Sequence, residues 1–525
     1  MKYLFLTYLI VINCYQGSAQ HPFMNIQDYG AVGDGETLNT GSIQAAIDDC
    51  AVKGGGTVYI PAGRFITGTI FLKNHVALHL ESGAVLEGSK NLIDYPITIS
   101  RVRSYTDNYT NKSLIYGEDL ENISIKGKGT INGNGASFKT VRMPNDEDVR
   151  KKDDFAYYKN RPYLIRIINS KNILLRDITL LNSPMWVQHY LLCSDVNIDG
   201  ITVHSDVNQN NDGIDIDACD NVRISNCNIV SGDDAIVLKS SLDKPCRNIV
   251  VSNCLISSRC NGFKLGTESN GNFENINVSN CIIYDTRLAG ICLLAVDGGS
   301  LKNVNVSDIT MERVGCAIFV RLGNRARPFN TDSEKPGIGN LSGIIINNIQ
   351  GTEIGTVGSS INGLPSYPVK DITLSNIRLR FLGGDAGDQV NRQIGEFPEK
   401  YPEHNMFGTL PSFGFFLRHV NNLVMDNIDL SYEKPDYRPA LFLSDVNGSR
   451  ISDLKASAED KTESLIVIDE SHDLVLRDCN VPRTGVILAN IRKKSSGILI
   501  INKNHDLKNL FKRDNSVLAE DLVVK

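Results

Sequence analysis

Short alternations of apolar and polar residues recur along the chain at nearly constant intervals. Each follows an Asn or Asp and places an aliphatic side chain at every second position, as in Asn248-Ile249-Val250-Val251-Ser252. This period of two predicts short β-strands, and the Asn and Asp residues between them predict sharp turns. The corresponding aliphatic anchors, separated by 23, 26, 27, 27 and 28 residues, are Ile173, Val196, Val222, Ile249, Ile276 and Val304.

A sustained period in the twenties indicates stacked units that bury their apolar sides against each other. Helical spacing and the leucine-rich-repeat consensus are both absent, and β-branched residues dominate the strands. The pattern therefore predicts an all-β fold, a right-handed parallel β-helix (β-solenoid) with coils about 4.8 Å apart. Weaker repeats extend the prediction over most of the chain.

The ends of the chain and one internal segment depart from the repeat. Residues 1–19 combine the basic start Met1-Lys2, a short apolar stretch and small residues near Ala19, which predicts a secretory signal peptide. We expect residues 20–492 to form a single β-helix catalytic domain, interrupted by a long loop insertion at about 382–416, and residues 493–525 to form a C-terminal capping tail. The protein is then expected to be exported, to the periplasm or the extracellular space.

Composition narrows the possible partners. The 525 residues carry a net charge of −6, which is too small to indicate nucleic acid binding or membrane association, and we expect no membrane insertion. We see no metal-ligand spacing and expect neither a metal nor a cofactor. Eleven cysteines remain after the signal peptide, so they cannot all pair. Cys227, Cys254 and Cys281 lie 27 residues apart and are predicted to stack inside the solenoid as small hydrophobes.

A second strand series places carboxylates on neighbouring coils. Its aliphatic or aromatic anchors are spaced by 22, 27, 28 and 27 residues and are Ile214, Ile236, Phe263, Ile291 and Ile318. Two positions before the first two anchors stand Asp212 and Asp234, with Asp233 beside the latter. Repulsion among three carboxylates raises at least one pKa, so that one acid keeps its proton while another group stays ionised. Glycoside hydrolysis needs this division of labour, and a carboxylate separation of about 6.5–9.5 Å would favour inversion. The alternative is that these aspartates are ordinary turn residues.

These motifs resemble a known family. The segments at residues 210–215 (Asn-Asn-Asp-Gly-Ile-Asp) and 232–236 (Gly-Asp-Asp-Ala-Ile) are similar to signatures of family 28 glycoside hydrolases, the polygalacturonase and rhamnogalacturonan hydrolase family. Residues 182–186 and 28–35 resemble further segments of pectin-degrading β-helix enzymes. The resemblance implies an inverting mechanism in which Asp233 is the general acid and Asp212 and Asp234 hold the attacking water.

Two departures from the family pattern concern substrate binding. Cys260-Asn261-Gly262 replaces Gly-His-Gly, so the histidine implied to tune the acid is absent. Cys292-Leu293-Leu294 replaces Arg-Ile-Lys, so the basic residues implied to bind a galacturonate carboxylate are also absent.

Strand alternation suggests substitutes. If the anchors point inward, Lys239, Lys264 and Arg321 point outward, towards the face of the aspartates, where a cation could bind a uronate carboxylate. Lys264 is expected one coil from Cys292. Each cation could instead be a solvated surface charge. Asn210 and Asn261, which belong to the same motifs, complete the candidates for substrate binding. His189, His404 and His419 fit structural or rim positions better than catalytic ones.

The leading hypothesis is an exported glycoside hydrolase that cleaves galacturonosidic bonds in pectic polysaccharide or oligosaccharide. A hydrolase of rhamnogalacturonan or other decorated pectin, with a neutral-sugar subsite, is the alternative. A polysaccharide lyase and a non-catalytic glycan-binding β-helix also remain open.

Overall fold

A computed structural model describes residues 23–138, 160–330, 332–482, 485–502 and 510–525. In these residues 36 strands join one continuous ladder of parallel pairs, which confirms the predicted parallel β-helix. The predicted signal peptide lies outside the described residues.

The strands follow one another with short turns between them. In chain order they are β1 (Phe23–Asn25), β2 (Asp34–Leu38), β3 (Gly56–Ile60), β4 (Gly63–Thr67), β5 (Ile70–Phe71), β6 (Val76–Leu80), β7 (Ala84–Gly88), β8 (Ser113–Glu118), β9 (Glu121–Gly127), β10 (Thr130–Asn132), β11 (Tyr163–Ile168), β12 (Lys171–Arg176), β13 (Thr179–Leu181), β14 (Gln188–Leu191), β15 (Ser194–Asp199), β16 (Thr202–Ser205), β17 (Ile214–Asp217) and β18 (Asp220–Ser225). They continue as β19 (Asn228–Ser231), β20 (Ile236–Ser240), β21 (Cys246–Ser252), β22 (Leu255–Ser258), β23 (Phe263–Ser269), β24 (Phe273–Ala295), β25 (Leu301–Leu322), β26 (Ser342–Ile354), β27 (Ser359–Asn362), β28 (Val369–Gly383), β29 (Phe415–Lys434), β30 (Leu441–Ala456), β31 (Ser464–Asp469), β32 (His472–Arg477), β33 (Ile487–Arg492), β34 (Ser496–Ile501), β35 (Phe511–Arg513) and β36 (Leu522–Val524).

The anchors of the first series stack in the predicted register. Each pairs with the next, from Ile173 with Val196 through to Ile276 with Val304, and all of them are buried in one apolar core. Burial of these aliphatic columns along the whole solenoid is the main apolar stabilisation of the fold.

Asparagine marks the corners because it tolerates the left-handed backbone conformation that a sharp turn requires. Asn221, Asn248, Asn275 and Asn303 have φ values of 58°, 57°, 56° and 55°. The side-chain amides of the last three each donate to the equivalent Asn of the preceding coil at 3.1 Å. The ladder satisfies these polar groups from coil to coil.

One α-helix departs from the all-β prediction. Helix α1 (Thr40–Val52) buries Ile43, Ala46, Ile47 and Cys50 against the first coils. These residues follow the i, i+3, i+4, i+7 spacing of a helix face, a signal that lies outside the strand repeat. The described fold is therefore mostly β with one α-helix.

The described part of the C-terminal tail extends the ladder. Strands β34, β35 and β36 pair in parallel with β32, β33 and β34. The stacked cysteines Cys227, Cys254 and Cys281 are buried and free of disulfides. Among the described residues, no helix is long and apolar enough to cross a membrane.

The second series positions the candidate site. Ile214, Ile236, Phe263, Ile291 and Ile318 pair in sequence across β17, β20, β23, β24 and β25 and point into the core. Their neighbours along each strand therefore face outward. The insertion, defined here as residues 384–414, connects β28 to β29 and lies over the outward face of the later coils.

Candidate active site

The three predicted aspartates lie together where two neighbouring strands begin. Asp212 precedes β17, and Asp233 and Asp234 precede β20. The amide of Gly213 donates to the carbonyl oxygen of Asp234 at 2.9 Å, which joins the two turns. The side chains of Asp212 and Asp234 are almost fully buried, whereas Asp233 is partly exposed.

Their surroundings give the carboxyls different protonation states. Burial and the charge of Asp234 raise the pKa of Asp233, although Lys264 opposes the shift. Burial, with Asp215 and Asp233, raises the pKa of Asp212 well above its ordinary value. For Asp234 burial acts in the same direction, but Lys264 and Lys239 outweigh it and lower the pKa. The site thus holds carboxyls that favour the proton beside one that stays ionised.

Lys264 and Asn261 hold Asp234 in its ionised form. The Lys264 ammonium donates to Asp234 Oδ2 at 2.8 Å, and Asn261 Nδ2 donates to Oδ1 at 2.8 Å. Asn261 Oδ1 in turn accepts from the amide of Ala289 at 3.0 Å. Lys264 does pair with Cys292 on the next coil, but its charge is bound within the protein.

Lys239 lies among carboxylates on the other side of the aspartates. Its Nζ lies 3.6 Å from Asp212 Oδ2, 3.4 Å from Asp215 Oδ1 and 3.4 Å from Glu268 Oε2. It also lies 4.5 Å from the centre of the Trp186 ring. Burial alone would lower the pKa of Lys239, but Glu268, Asp215 and Asp212 raise it well above its ordinary value. The Lys239 ammonium therefore partly balances the negative charge of the three carboxylates around it.

Asn210 supports the candidate acid. Its Nδ2 donates to Asp233 Oδ2 at 3.3 Å, and its Oδ1 accepts from Arg161 at 2.9 Å. Asn210 also has a φ of 55°, which Asn tolerates better than most residues. The structure thus brings Asn210, Asn261, Lys239 and Lys264 to the aspartates.

Arg321 lies elsewhere than the sequence predicts. It points outward from β25, but its guanidinium donates to the carbonyl oxygens of Gly363 at 3.0 Å and Glu396 at 2.6 Å. It also lies 5.4 Å from the Phe407 ring centre. Burial lowers the pKa of Arg321 to about 10. Arg321 therefore anchors the insertion rather than facing the aspartates.

Among the described residues, polar atoms without hydrogen bonds line the coils that precede β20, although Asp215 Oδ1 among them is ion-paired with Lys239. His189 Nδ1, Tyr163 Oη, Asp212 Oδ1 and both carboxylate oxygens of Asp215 are buried and make no hydrogen bond within the described part of the chain. The rings of Tyr163 and Trp186 flank His189 at 5.6 Å and 5.2 Å. Buried polar groups normally have partners, so these atoms are exceptions to the usual pairing.

The coils that follow β23 present an apolar face instead. Cys292, Leu294 and Phe319 form one buried cluster with Met406 and Phe407 of the insertion. The positions where the family carries basic residues are therefore apolar and covered by the chain's own loop.

The insertion also reaches the carboxylates. The Tyr401 ring centre lies 5.8 Å from Lys264 Nζ, and its hydroxyl accepts from Thr267 Oγ1 at 3.3 Å. Burial raises the pKa of Glu403 to about 7. The negative charges of Asp234 and Asp233 act in the same direction, and Lys264 opposes them. Sequence reasoning missed both residues because the insertion has no repeat.

The three candidate histidines differ in their contacts and in the direction of their pKa shifts. His189 faces Asp217 Oδ2 at 3.3 Å, and burial lowers its pKa against the opposing effect of Asp217. Burial also lowers the pKa of His404, to about 4. His419 binds Asp445 Oδ2 at 2.7 Å and Glu396 Oε1 at 3.2 Å, which outweighs burial and raises its pKa.

One group in the described residues could be considered for a metal ion. Ligand atoms of Asp233, Asp234 and Cys260 lie within 4.8 Å of one another. Asp234 is already bound by Lys264 and Asn261, and burial together with the neighbouring Asp233 raises the pKa of the Cys260 thiol, which disfavours the thiolate. The group is arranged for proton chemistry rather than for metal coordination.

Comparisons with known proteins agree with this geometry. Residues 50–395 match the family described as Glycosyl hydrolases family 28. The chain is 37% identical over 232 residues to a probable polygalacturonase of Vitis vinifera, which covers 42% of this chain and 45% of the relative. It is 31% identical over 251 residues to an exo-poly-α-D-galacturonosidase of Dickeya chrysanthemi, which covers 41% of each. These matches thus span less than half the length of either relative.

A solved structure extends the similarity over more of the fold. The crystal structure of a hyperthermoactive exopolygalacturonase from Thermotoga maritima superimposes with a TM-score of 0.60 at 25% identity. The superposition covers 78% of this chain and 92% of that one. With its stacked parallel strands and the match over residues 50–395, the chain belongs to glycoside hydrolase family 28.

Proposed function

We propose that this protein hydrolyses galacturonosidic bonds in pectic polysaccharide or oligosaccharide by an inverting general acid/base mechanism. The observation that carries the proposal is the grouping of Asp212, Asp233 and Asp234, whose surroundings raise the pKa of Asp212 and Asp233 and lower that of Asp234. Family membership and the names of the relatives support the class of substrate.

In the proposed mechanism each carboxyl has its own step. Asp233, partly exposed and with a raised pKa, donates its proton to the leaving glycosidic oxygen. Asp234, kept ionised by Lys264, takes a proton from the attacking water. Asp212 Oδ1, which has no hydrogen bond within the described residues, is free to orient that water. Water attacks the face of the sugar opposite the leaving oxygen, so the anomeric centre inverts.

A second candidate substrate is favoured by the state of the cations. Lys239 and Lys264 are bound to carboxylates, and Arg321 is bound to the insertion. Each cation therefore already has partners within the protein, so it would bind a uronate carboxylate less strongly than an unpaired cation would. A hydrolase of rhamnogalacturonan or other decorated pectin, with a neutral sugar beside the scissile bond, fits this arrangement.

Export to the periplasm or the extracellular space is part of the proposal. It rests on the basic start, the apolar stretch and the small residues in the first 19 positions.

Product analysis on a panel of pectic substrates tests the function. Homogalacturonan, rhamnogalacturonan oligosaccharides and their carboxyl-reduced forms are incubated with the wild-type protein and with Asp233→Asn. We expect saturated products from the wild-type protein on at least one pectic substrate and almost none from the variant. Unsaturated, ultraviolet-absorbing products would identify a lyase, and binding without product release would identify a glycan-binding protein.

A further inference from the structure

A buried arginine lies behind the turn that leads to the first aspartate. Arg161 precedes β11 and is 1% exposed. Its Nη1 donates to the carbonyl oxygens of Gln209 at 2.6 Å and Pro184 at 3.5 Å, and its Nη2 donates to Asn210 Oδ1 at 2.9 Å. A guanidinium suits this arrangement, because its donors form a rigid, planar fork. Arg161 therefore holds both the backbone and a side chain of the turn before Asp212.

Arg161 decides which end of the Asn210 amide faces the candidate acid. A guanidinium has donors only, so it binds the amide oxygen and not the amide nitrogen. With Oδ1 turned to Arg161, the Nδ2 group of Asn210 donates to Asp233 Oδ2 at 3.3 Å. The opposite orientation would place the amide oxygen against the carboxyl and would repel its ionised form. The contact with Arg161 thus fixes Asn210 as a donor to Asp233.

The Asp233 carboxyl is held at both of its oxygens. Oδ1 accepts from the backbone amide of Asp234 at 3.0 Å, and Oδ2 accepts from Asn210 at 3.3 Å. Donors on both oxygens orient the carboxyl plane, and with it the direction in which the proton is offered. Both donors also stabilise the carboxylate that remains once the proton has left. Of these two contacts, only that of Asn210 depends on a further side chain.

The turn has other contacts that do not involve Arg161. Asn211 Nδ2 donates to the carbonyl oxygens of Ser183 at 2.8 Å and Met185 at 2.9 Å. Asn211 Oδ1 accepts from the backbone amide of Asn208 at 2.9 Å. Since these bonds hold the same turn, a change of Arg161 should free the Asn210 amide without unfolding the backbone around it.

We propose that Arg161 is a positioning residue of the active site, which acts through the Asn210 amide to orient the Asp233 carboxyl. The inference rests on the proposed function, in which Asp233 is the general acid. Asn210, which the sequence predicts to bind substrate, then supports the acid instead.

A double-mutant cycle tests whether Arg161 acts through Asn210. In Arg161→Met and in Asn210→Ala we expect kcat on the best pectic substrate to fall about 10–10²-fold with little change in KM, because the acid is misplaced. The double variant should be no slower than the slower single variant, since both changes remove the same support. Unchanged kcat in Arg161→Met, or losses that multiply in the double variant, would overturn the inference.

Two further variants keep this test sharp. Arg161→Lys retains the charge but replaces the fork by a single ammonium, so it should recover only part of the rate. It also takes the place of Arg161→Met in the cycle if circular dichroism shows that Arg161→Met does not fold. Arg223→Met is the matched control, because Arg223 is an exposed arginine of β18, and it should retain full activity.

A titration without substrate separates this inference from the proposed function. Aspartate side-chain carboxyls are labelled with ¹³C, and the Asp233 signal is identified by its loss in Asp233→Asn. Loss of a donor to the carboxylate should raise the titration midpoint of Asp233 by about 0.5–1 unit, in Arg161→Met and equally in Asn210→Ala. The other ionisable groups that act on Asp233 are the same in all these variants and are Asp212, Asp234, Lys239, Cys260, Lys264 and Glu403.

Each outcome of the titration has one reading. Asn210→Ala keeps the charge of Arg161, so an equal rise in both variants assigns the effect to the amide. A midpoint that stays in place, or that rises in Arg161→Met alone, overturns the inference. If the midpoint rises in both variants but the wild-type protein hydrolyses no pectic substrate, the link from Arg161 to Asp233 stands and the proposed function is rejected.

Discussion

The outward face of one strand series differs sharply on the two sides of Asp233. On the preceding coils, Tyr163, His189 and Asp215 present buried polar atoms without hydrogen bonds in the described residues. On the following coils, Cys292 and Phe319 are apolar and lie under the insertion.

This difference shows how a repeated backbone can carry different side chains on either side of the aspartates. Alternation along a strand decides only that a side chain faces outward, and the residue type then decides whether the buried position is polar or apolar. Among the described residues, buried polar atoms without hydrogen bonds are not confined to the preceding side, since Asn362, which pairs with Arg321 on the following coils, also has them. The aspartates stand at the border between the two sides.

Asp233→Asn should have the largest effect, because it removes the proton donor at that border. We expect turnover to fall about 10²–10⁴-fold without loss of folding. Initial rates on the best pectic substrate, with circular dichroism to verify the fold, provide the measurement. Asp243→Asn on the same coil is exposed and should retain activity. Near-normal turnover in Asp233→Asn would remove this residue from the mechanism.

Lys239→Met tests the polar side. Its removal leaves the Asp212 and Asp215 carboxylates without their cation, which should cost about 3–5 kcal/mol of unfolding free energy near pH 8. Burial already raises the pKa of both aspartates, so they should take up protons as the pH falls towards 4, and the cost should then shrink. Urea unfolding at several pH values measures this.

The exposed Lys244 provides the control for that variant, and Lys244→Met should leave stability unchanged. If Lys239→Met lowers the free energy of unfolding only slightly, or lowers it more at low pH, the Asp212 and Asp215 carboxylates do not depend on this cation.

Lys264→Met tests the residue at the border and should have a smaller effect. Because Lys264 binds Asp234, we expect kcat/KM to fall equally on charged and carboxyl-reduced substrates. The fall should correspond to a loss of about 1.5–3 kcal/mol of transition-state stabilisation. The acid limb of the profile should also move to higher pH, since Lys264 lowers the pKa of Asp234. Lys302→Met changes an exposed lysine and serves as the control. A loss confined to the charged substrate would instead show that Lys264 binds a uronate carboxylate.

The sequence predicts what is local and periodic. Strand alternation placed Ile236 and Phe263 inward and Lys239 and Lys264 outward, because each strand imposes its own period of two. Where an outward side chain ends up depends on what covers it. Arg321 points outward but turns to the insertion, whose path no repeat encodes.

The sequence analysis did not identify three residues of the site, each for a different reason. Asp215 lies within the quoted motif, and its alternation with Ile214 could have identified it. Glu268 follows a register shift between β20 and β23, so counting along the strand does not locate it. Glu403 belongs to the insertion, and only the folded chain brings its charge near Lys264.

In the proposed mechanism Asp234 and Asp212 direct a water, rather than one of them attacking the sugar. Proton NMR of the first product formed by the wild-type protein tests this most directly. We expect the newly released anomeric centre to have the opposite configuration to the bond that was cleaved, before mutarotation mixes the anomers. A first product with retained configuration would contradict it.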